Sequence, residues 1–150
     1  MTIPILSIRP YRAETDLAPL SAIWFEASLL AHPFIGEARL SAQRPRIERD
    51  YLPRALTFVA DMANEPVGFV SLLGNFVGAL FVRPDMQGKG IGKALLARAL
   101  REKAPMELEV YTANAAALRF YLAFGFTELS RRPVDDEGQP FESARMRHPG

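Results

Sequence analysis

The stretch FVRPDMQGKGIGKALLARAL, residues 81–100, most constrains what this chain can become. An apolar run ends at Val82. Gly88, Gly90 and Gly92 then alternate with Lys89, Ile91 and Lys93. Beyond the glycines, Ile91, Leu95, Leu96, Ala99 and Leu100 recur at helical spacing, while Lys89, Lys93, Arg98 and Arg101 fall off that stripe. A strand that turns through glycines into an amphipathic helix is half of a βαβ unit. It requires a sheet with helices packed on its faces.

The rest of the chain supplies that sheet. ILSIRPYR reads as an opening strand. TDLAPLSAIWFEASLLAH carries Leu17, Leu20, Ile23, Trp24 and Ala27 at helical spacing and closes near His32-Pro33. SAQRPRIERDYLPRA is expected to be a second helix, with Pro45 near its start and Pro53 near its end. LTFVAD, EPVGFVSLL and FVGALFV read as three strands, the last two joined at Gly74-Asn75, where residues that tolerate positive φ suit a tight hairpin. MELEVY is a strand, NAAALRFYLAF a short helix capped by Gly125, and FTELSR and FESARMRH two closing strands around DDEGQP. The expected order is β-α-α-β-β-β-α-β-α-β-β: an antiparallel meander feeding βαβ units in a mixed α/β sheet.

At 150 residues, with 49% hydrophobic and 23% charged residues, the chain is expected to form one domain over 1–150 with a real core. No segment reads as a repeat or linker. A net charge of +1 argues against bulk attraction to nucleic acid or membrane. Without cysteine there is no disulfide, thiolate metal site or cysteine nucleophile. The start, MTIPILSIRP, has no basic segment and Pro4 interrupts its apolar run, unlike a signal peptide. The longest apolar stretch, VGFVSLLGNFVGALFV, is below spanning length and contains Asn75. A cytoplasmic protein is expected.

Three phosphate-binding motifs compete for the glycine corner. A Walker A loop needs one more residue between Gly88 and Gly92-Lys93, and Ala94 stands where it needs a hydroxyl. A Rossmann fingerprint needs its third glycine at 93, which is lysine, and needs its glycines directly after the strand. Glu107 and Glu109 do stand about where a ribose-binding acid would, but the upstream hairpin is the wrong context. Q/R-x-x-G-x-G/A is matched by Gln87, Gly88, Lys89, Gly90, Ile91 and Gly92. With a downstream N-x6-Y, Asn114 to Tyr121, ahead of Gly125-Phe126, the sequence resembles the GNAT family of N-acetyltransferases over nearly its whole length. Its details are most similar to small bacterial members that act on protein lysines or are uncharacterised.

The glycines have a physical use in that setting. Without side chains at 88, 90 and 92, backbone N–H groups can approach a pyrophosphate. The helix that starts there aims its orphan donors and positive dipole end at the same anion. Lys89 and Lys93 are placed to add charge. A glycine-rich turn serving only chain reversal explains one such glycine well and three alternating ones poorly. The ligand the resemblance implies is acetyl-CoA, used as co-substrate without a metal.

The resemblance also implies a GNAT fold, a mixed, mostly antiparallel sheet of six to seven strands flanked by about four helices. It implies main-chain bonding of the pantetheine arm by Leu80, Phe81 and Val82, where Gly78 and Ala79 would keep the surface open. Asn114 is a candidate helix N-cap and, by resemblance, a contact to the CoA arm. Tyr121 shares a helix face with Asn114. Family resemblance makes it the acid that protonates the departing thiolate; a core aromatic is the alternative, given Phe120, Phe124 and Phe126 nearby.

The general base is open. Glu109 and Glu107 lie on a strand expected to be largely buried, where ion pairs to Arg98 or Arg119 would explain them. Glu26 and His32 border the acceptor region of the family. AHPFI is similar to the acceptor-side segment of its nearest members, and His32 titrates in a useful range but also suits a helix end. His148 has no obvious partner, and two distant histidines make no metal site. Trp24, Phe25, Phe34 and Tyr51 suit core or acceptor-pocket walls, and Arg44, Arg46 and Arg49 a solvated basic helix face.

The resemblance implies direct transfer of acetyl to a primary amine in a ternary complex. The acceptor is a protein lysine or N-terminus, or a small molecule such as a polyamine or antibiotic. A CoA-binding regulatory module without turnover is the alternative class. No nucleic-acid or membrane partner is expected, and the chain is expected to be a monomer or homodimer.

Overall fold

The computed structural model describes residues 5–150; Pro4 lies outside them. One sheet of seven strands runs through the chain. The elements follow the expected order: β1 (Ser7–Pro10), α1 (Ala13–Ala31), α2 (Glu37–Arg46), β2 (Leu56–Met62), β3 (Glu65–Leu73), β4 (Phe76–Val82), α3 (Ile91–Lys103), β5 (Met106–Tyr111), α4 (Ala115–Phe124), β6 (Thr127–Arg132) and β7 (Ser143–His148). In space the strands run β1-β2-β3-β4-β5-β7-β6. All neighbours are antiparallel except β4 and β5, which α3 connects in parallel.

Two expectations need correction. Only β4-α3-β5 is a directly paired βαβ unit, because β7 inserts between β5 and β6 and splits the second. The second helix starts at Glu37, after Gly36 at φ +89°, so Pro45 lies in its last turn instead of near its start. Pro45 has no N–H to continue the ladder. The chain then widens into one π-helical turn, Ile47–Tyr51, closed by the Leu52 N–H donating to the Ile47 carbonyl at 3.0 Å.

The sheet buries apolar residues on both faces. Phe58, Val70, Leu72 and Val77 meet Ile91, Leu95, Leu96 and Ala99 of α3 on one face. Val59, Phe69 and Ala79 meet Leu20, Ile23 and Trp24 of α1 and Leu40 of α2 on the other. Arg9 ties the far edge of the sheet together. It donates to both carboxylate oxygens of Asp16 on α1, at 2.7 and 2.9 Å, and to Asp61 on β2. Asp16 also accepts the Arg12 N–H at 2.7 Å. Its carboxyl is held below the ordinary value because these bonds outweigh its burial.

One irregularity opens a cleft beside β4. Leu72 faces Val77 and Ser71 faces Ala79, so Gly78 is an extra residue, a β-bulge in β4. Past this point β4 leaves its neighbour. The β4–β5 pairing consists of Phe76 opposite Glu107 and Val77 opposite Leu108. Beyond Val77 the strands splay, and the edge of β4 facing β5 has no strand partner among the described residues.

Candidate active site

A cleft of about 1680 Å³ fills the splay. Its walls come from β4, the glycine corner, the start of α4, the end of α1 and the 133–142 loop. It brings together most of the residues singled out from sequence: Leu80, Phe81, Val82, Gln87, Gly88, Gly90, Ile91, Gly92, Lys93, Asn114, Tyr121, Glu109 and His32. Lys89 is exposed beside it at the corner.

The corner presents a row of backbone donors. Pro84–Met86 form one 3₁₀ turn, and Gln87 donates its side-chain amide back to the Val82 carbonyl at 3.1 Å, pinning the loop to the strand end. Gly88 and Gly90 take φ of +78° and +82°, which only glycine adopts without strain. A side chain on either would meet open space, so backbone geometry, not crowding, demands glycine there. Gly90 begins α3 as its N-cap with no side-chain cap. Among the described residues, no acceptor takes the N–H groups from Gly88 to Lys93; the first bonded N–H is that of Ala94, donating to Gly90 at 3.1 Å. Lys89 and Lys93 are exposed and have no ion-pair partner among the described residues. Free donors, a helix N-terminus and two unpaired ammonium groups fit a pyrophosphate.

The wall opposite is α4. Asn114 is its N-cap: its Oδ1 accepts the Ala117 N–H at 3.2 Å. That bond fixes the orientation of the amide, and Nδ2 donates to Nε2 of His32 at 3.3 Å. Tyr121 stands two turns on. Its ring packs edge-on against Phe120 and Phe126, with centroids 5.3 and 5.5 Å away. Its hydroxyl has no hydrogen-bond partner among the described residues. Burial pushes its pKa well above the ordinary phenol value, so it stays protonated at neutral pH.

His32 follows α1, with its N–H donating to the Ser28 carbonyl at 2.8 Å. Its ring lies between Phe34 and Tyr111, at 5.7 and 5.0 Å. Burial lowers its pKa to about 4, which keeps it neutral. Glu109 reaches the cleft but is ion-paired to Arg132 at 2.7 Å and Arg145 at 3.7 Å. Glu107 pairs with Arg145 at 2.7 Å. The expected partners Arg98 and Arg119 are therefore wrong. Both acids face away from the core cluster on β5, alongside the arginines of β7 and β6, whereas Arg98 pairs with Glu102 along α3 and lies over the Phe58 ring.

Other expectations are sharpened. Trp24 is buried beside the cleft, and Phe34 packs with Tyr111 and Phe141. Arg44 is not simply solvated: it donates to the buried Ser21 hydroxyl at 2.8 Å and covers Phe25. His148 has partners after all, packing on Phe124 and Phe126 and closing on Gly125. Among the described residues, no group of three or more His, Asp or Glu could hold a metal ion, and no helix is long and apolar enough to cross a membrane.

The 133–142 loop contributes residues that sequence reading treated only as a turn. Asp135 is buried; it accepts the N–H groups of Glu137 and Gln139 at 3.0 and 2.8 Å and the Tyr111 hydroxyl at 3.1 Å. Glu137 accepts from Gln43 and pairs with Arg46 of α2. Asp136, between them, lines the cleft without an ion-pair partner among the described residues. Partial desolvation and its acidic neighbours Asp135 and Glu137 push its carboxyl above the ordinary value, although the residue is largely solvent-exposed. The signal was three adjacent acids in one turn, a pattern that a solvated loop shares.

The acetyltransferase (GNAT) domain profile matches residues 53–128. Peptidyl-lysine N-acetyltransferase YjaB of Salmonella typhimurium is 36% identical over 97% of this chain and 99% of that protein. Peptidyl-lysine N-acetyltransferase YiaC of Escherichia coli is 34% identical over 75% of this chain and 77% of that protein. The solution structure of apo YjaB from Escherichia coli superimposes with a TM-score of 0.84 at 33% identity, covering 97% of this chain and 99% of that one. With its splayed β4 and β5, unpaired corner amides and full-length relatives, the chain belongs to the GNAT acetyltransferase family.

Proposed function

We propose that this protein transfers acetyl from acetyl-CoA to the side-chain amine of a lysine in a peptide or protein, in the cytoplasm, as a single domain. The observation that carries the reading is the splay of β4 from β5 beside the unpartnered N–H groups of Gly88 to Lys93. The corner receives the pyrophosphate, and the free edge at Leu80–Val82 receives the pantetheine arm in the manner of an added strand. The amine attacks the thioester carbon, the carbon–sulfur bond breaks, and the Tyr121 hydroxyl gives its proton to the departing thiolate. Partial burial favours the protonated phenol, and the same loss of solvation would raise the basicity of a thiolate placed beside it.

A lysine acceptor is supported by relatives that carry that name over nearly their full length. The acidic rim also supports it: Asp136 and Asp50 line the cleft and would attract an ammonium group. Asp136, its carboxyl raised and without an ion-pair partner among the described residues, is better placed to take a proton from that ammonium than Glu109, which is engaged by Arg132 and Arg145. The test is a comparison of kcat/KM for lysine-containing peptides, N-terminal amines and polyamines, read as thiol release and acetylated product. Preference for the lysine peptide is expected. Faster turnover of a polyamine would move the acceptor to the small-molecule class, and binding without turnover across the panel would favour a CoA-binding module.

A further inference from the structure

The helix that carries Tyr121 is partly buried: Ala117, Leu118, Phe120, Tyr121 and Phe124 pack against the core, yet no residue from Ala115 to Phe124 is fully buried. How its ends are held therefore contributes to its position. At the C-terminal end, Gly125 closes on His148 and the Tyr121 ring rests on Phe126. At the N-terminal end the anchor is Asn114, and Asn114 is itself held by His32.

That contact spans the cleft. α1 lies over the β3–β4 side of the splay through Ile23, Trp24 and Phe69, whereas α4 follows β5 on the other side. The Asn114 Oδ1 is committed to the Ala117 N–H, so the side that faces His32 is a donor, and the His32 Nε2 must be an acceptor. The ring proton then resides on Nδ1. Such a ring has no free lone pair with which to deprotonate an amine. The aromatic walls Phe34 and Tyr111 hold it in place. Its low pKa keeps the acceptor form populated throughout the neutral range.

We propose that His32 is a positioning residue: through Asn114 it fixes the start of α4, and thereby the place of the Tyr121 hydroxyl against the thioester. This rests on the proposed role of Tyr121.

Four proteins test it: His32→Ala, His32→Gln, Tyr121→Phe and the His32→Ala/Tyr121→Phe double variant. Each is assayed for kcat, for KM and for amide exchange in α4. Gln keeps an acceptor for the Asn114 amide. For His32→Ala, kcat is expected to fall about tenfold with the acetyl-CoA KM within about threefold, and Gln to restore most of the loss. Amides 117–124 should exchange faster in His32→Ala, the pH dependence of kcat/KM should keep its shape, and His32→Ala should cost nothing further in the Tyr121→Phe background. An equal loss in that background, a displaced limb of the pH profile, or unchanged exchange in α4 overturns the proposal. If the parent protein releases no thiol from acetyl-CoA with any amine, the proposed reaction fails instead, and exchange in α4 still decides the role of His32.

Discussion

The Tyr51 phenol occupies the space that a side chain on Gly78 would need: a Cβ built on Gly78 lies 1.8 Å from the Tyr51 hydroxyl and 2.6 Å from the ring carbon that bears it. Gly78 is also the bulged residue that turns β4 away from β5. One glycine thus bends the strand and admits the tyrosine that floors the cleft. Gly78→Ala is expected to destabilise the fold by about 1–3 kcal/mol, the usual cost of overpacking. Pairing it with Tyr51→Ala should give much less than the sum of the two single losses. Additive losses in denaturant unfolding would show that the two residues do not share this space.

The corner glycines separate into two kinds. Gly90→Ala forces a left-handed residue and is expected to cost about 1–2 kcal/mol of stability. Gly92 has ordinary helical backbone, and an added Cβ would meet Phe120 and Val82 only at 3.8 Å. Gly92→Ala should leave stability unchanged or raise it by up to about 1 kcal/mol, while acetyl-CoA affinity falls. Thermal unfolding beside calorimetric titration reads both effects. Retained affinity in Gly92→Ala would remove that position from the proposed pyrophosphate cradle.

Tyr121→Phe removes a hydroxyl that has no hydrogen-bond partner among the described residues, so stability should change by less than about 0.5 kcal/mol. Turnover should fall about 10- to 100-fold with acetyl-CoA affinity nearly unchanged. Full activity in this variant would take Tyr121 out of the reaction.

The lowered pKa of His32 makes a sign-specific claim about stability. Its folded pKa of about 4 lies below the ordinary histidine value, so the unfolded chain binds the proton more readily. The stability held by the neutral ring is complete above about pH 6.5 and is lost as pH falls toward 4, by about 2–3 kcal/mol at pH 4.5. Unfolding free energies measured from pH 7.5 to 4.5 should fall more steeply for the parent than for His32→Gln. Parallel curves would contradict a buried neutral histidine.

What was legible in the sequence is what local chemistry determines. The 91–100 stripe, the hairpin at Gly74 and the glycine corner each rest on spacing within a few residues, and each appears where expected. Asn114 and Tyr121 share a face because a helix repeats every 3.6 residues, and both reach the cleft. The rest depends on non-local pairing. The insertion of β7 between β5 and β6 decides which arginines meet Glu107 and Glu109, and it leaves no mark in either segment alone. The bulge at Gly78 is a register offset against β3, invisible until Ser71 and Leu72 are paired. The bond between His32 and Asn114 joins residues 82 positions apart. Pro45 reads as a helix-opening signal, yet α2 starts at Glu37, because Gly36 breaks the chain just ahead of it.

The most direct test of the acetyl-CoA site is the structure of the protein crystallised with CoA. The expected result has the pyrophosphate on the N–H groups between Gly88 and Lys93, the pantetheine arm along Leu80–Val82 in the splay, and the sulfur near the Tyr121 hydroxyl. CoA bound elsewhere, or a β4–β5 splay closed by direct strand pairing with the pyrophosphate absent from the corner, would contradict it.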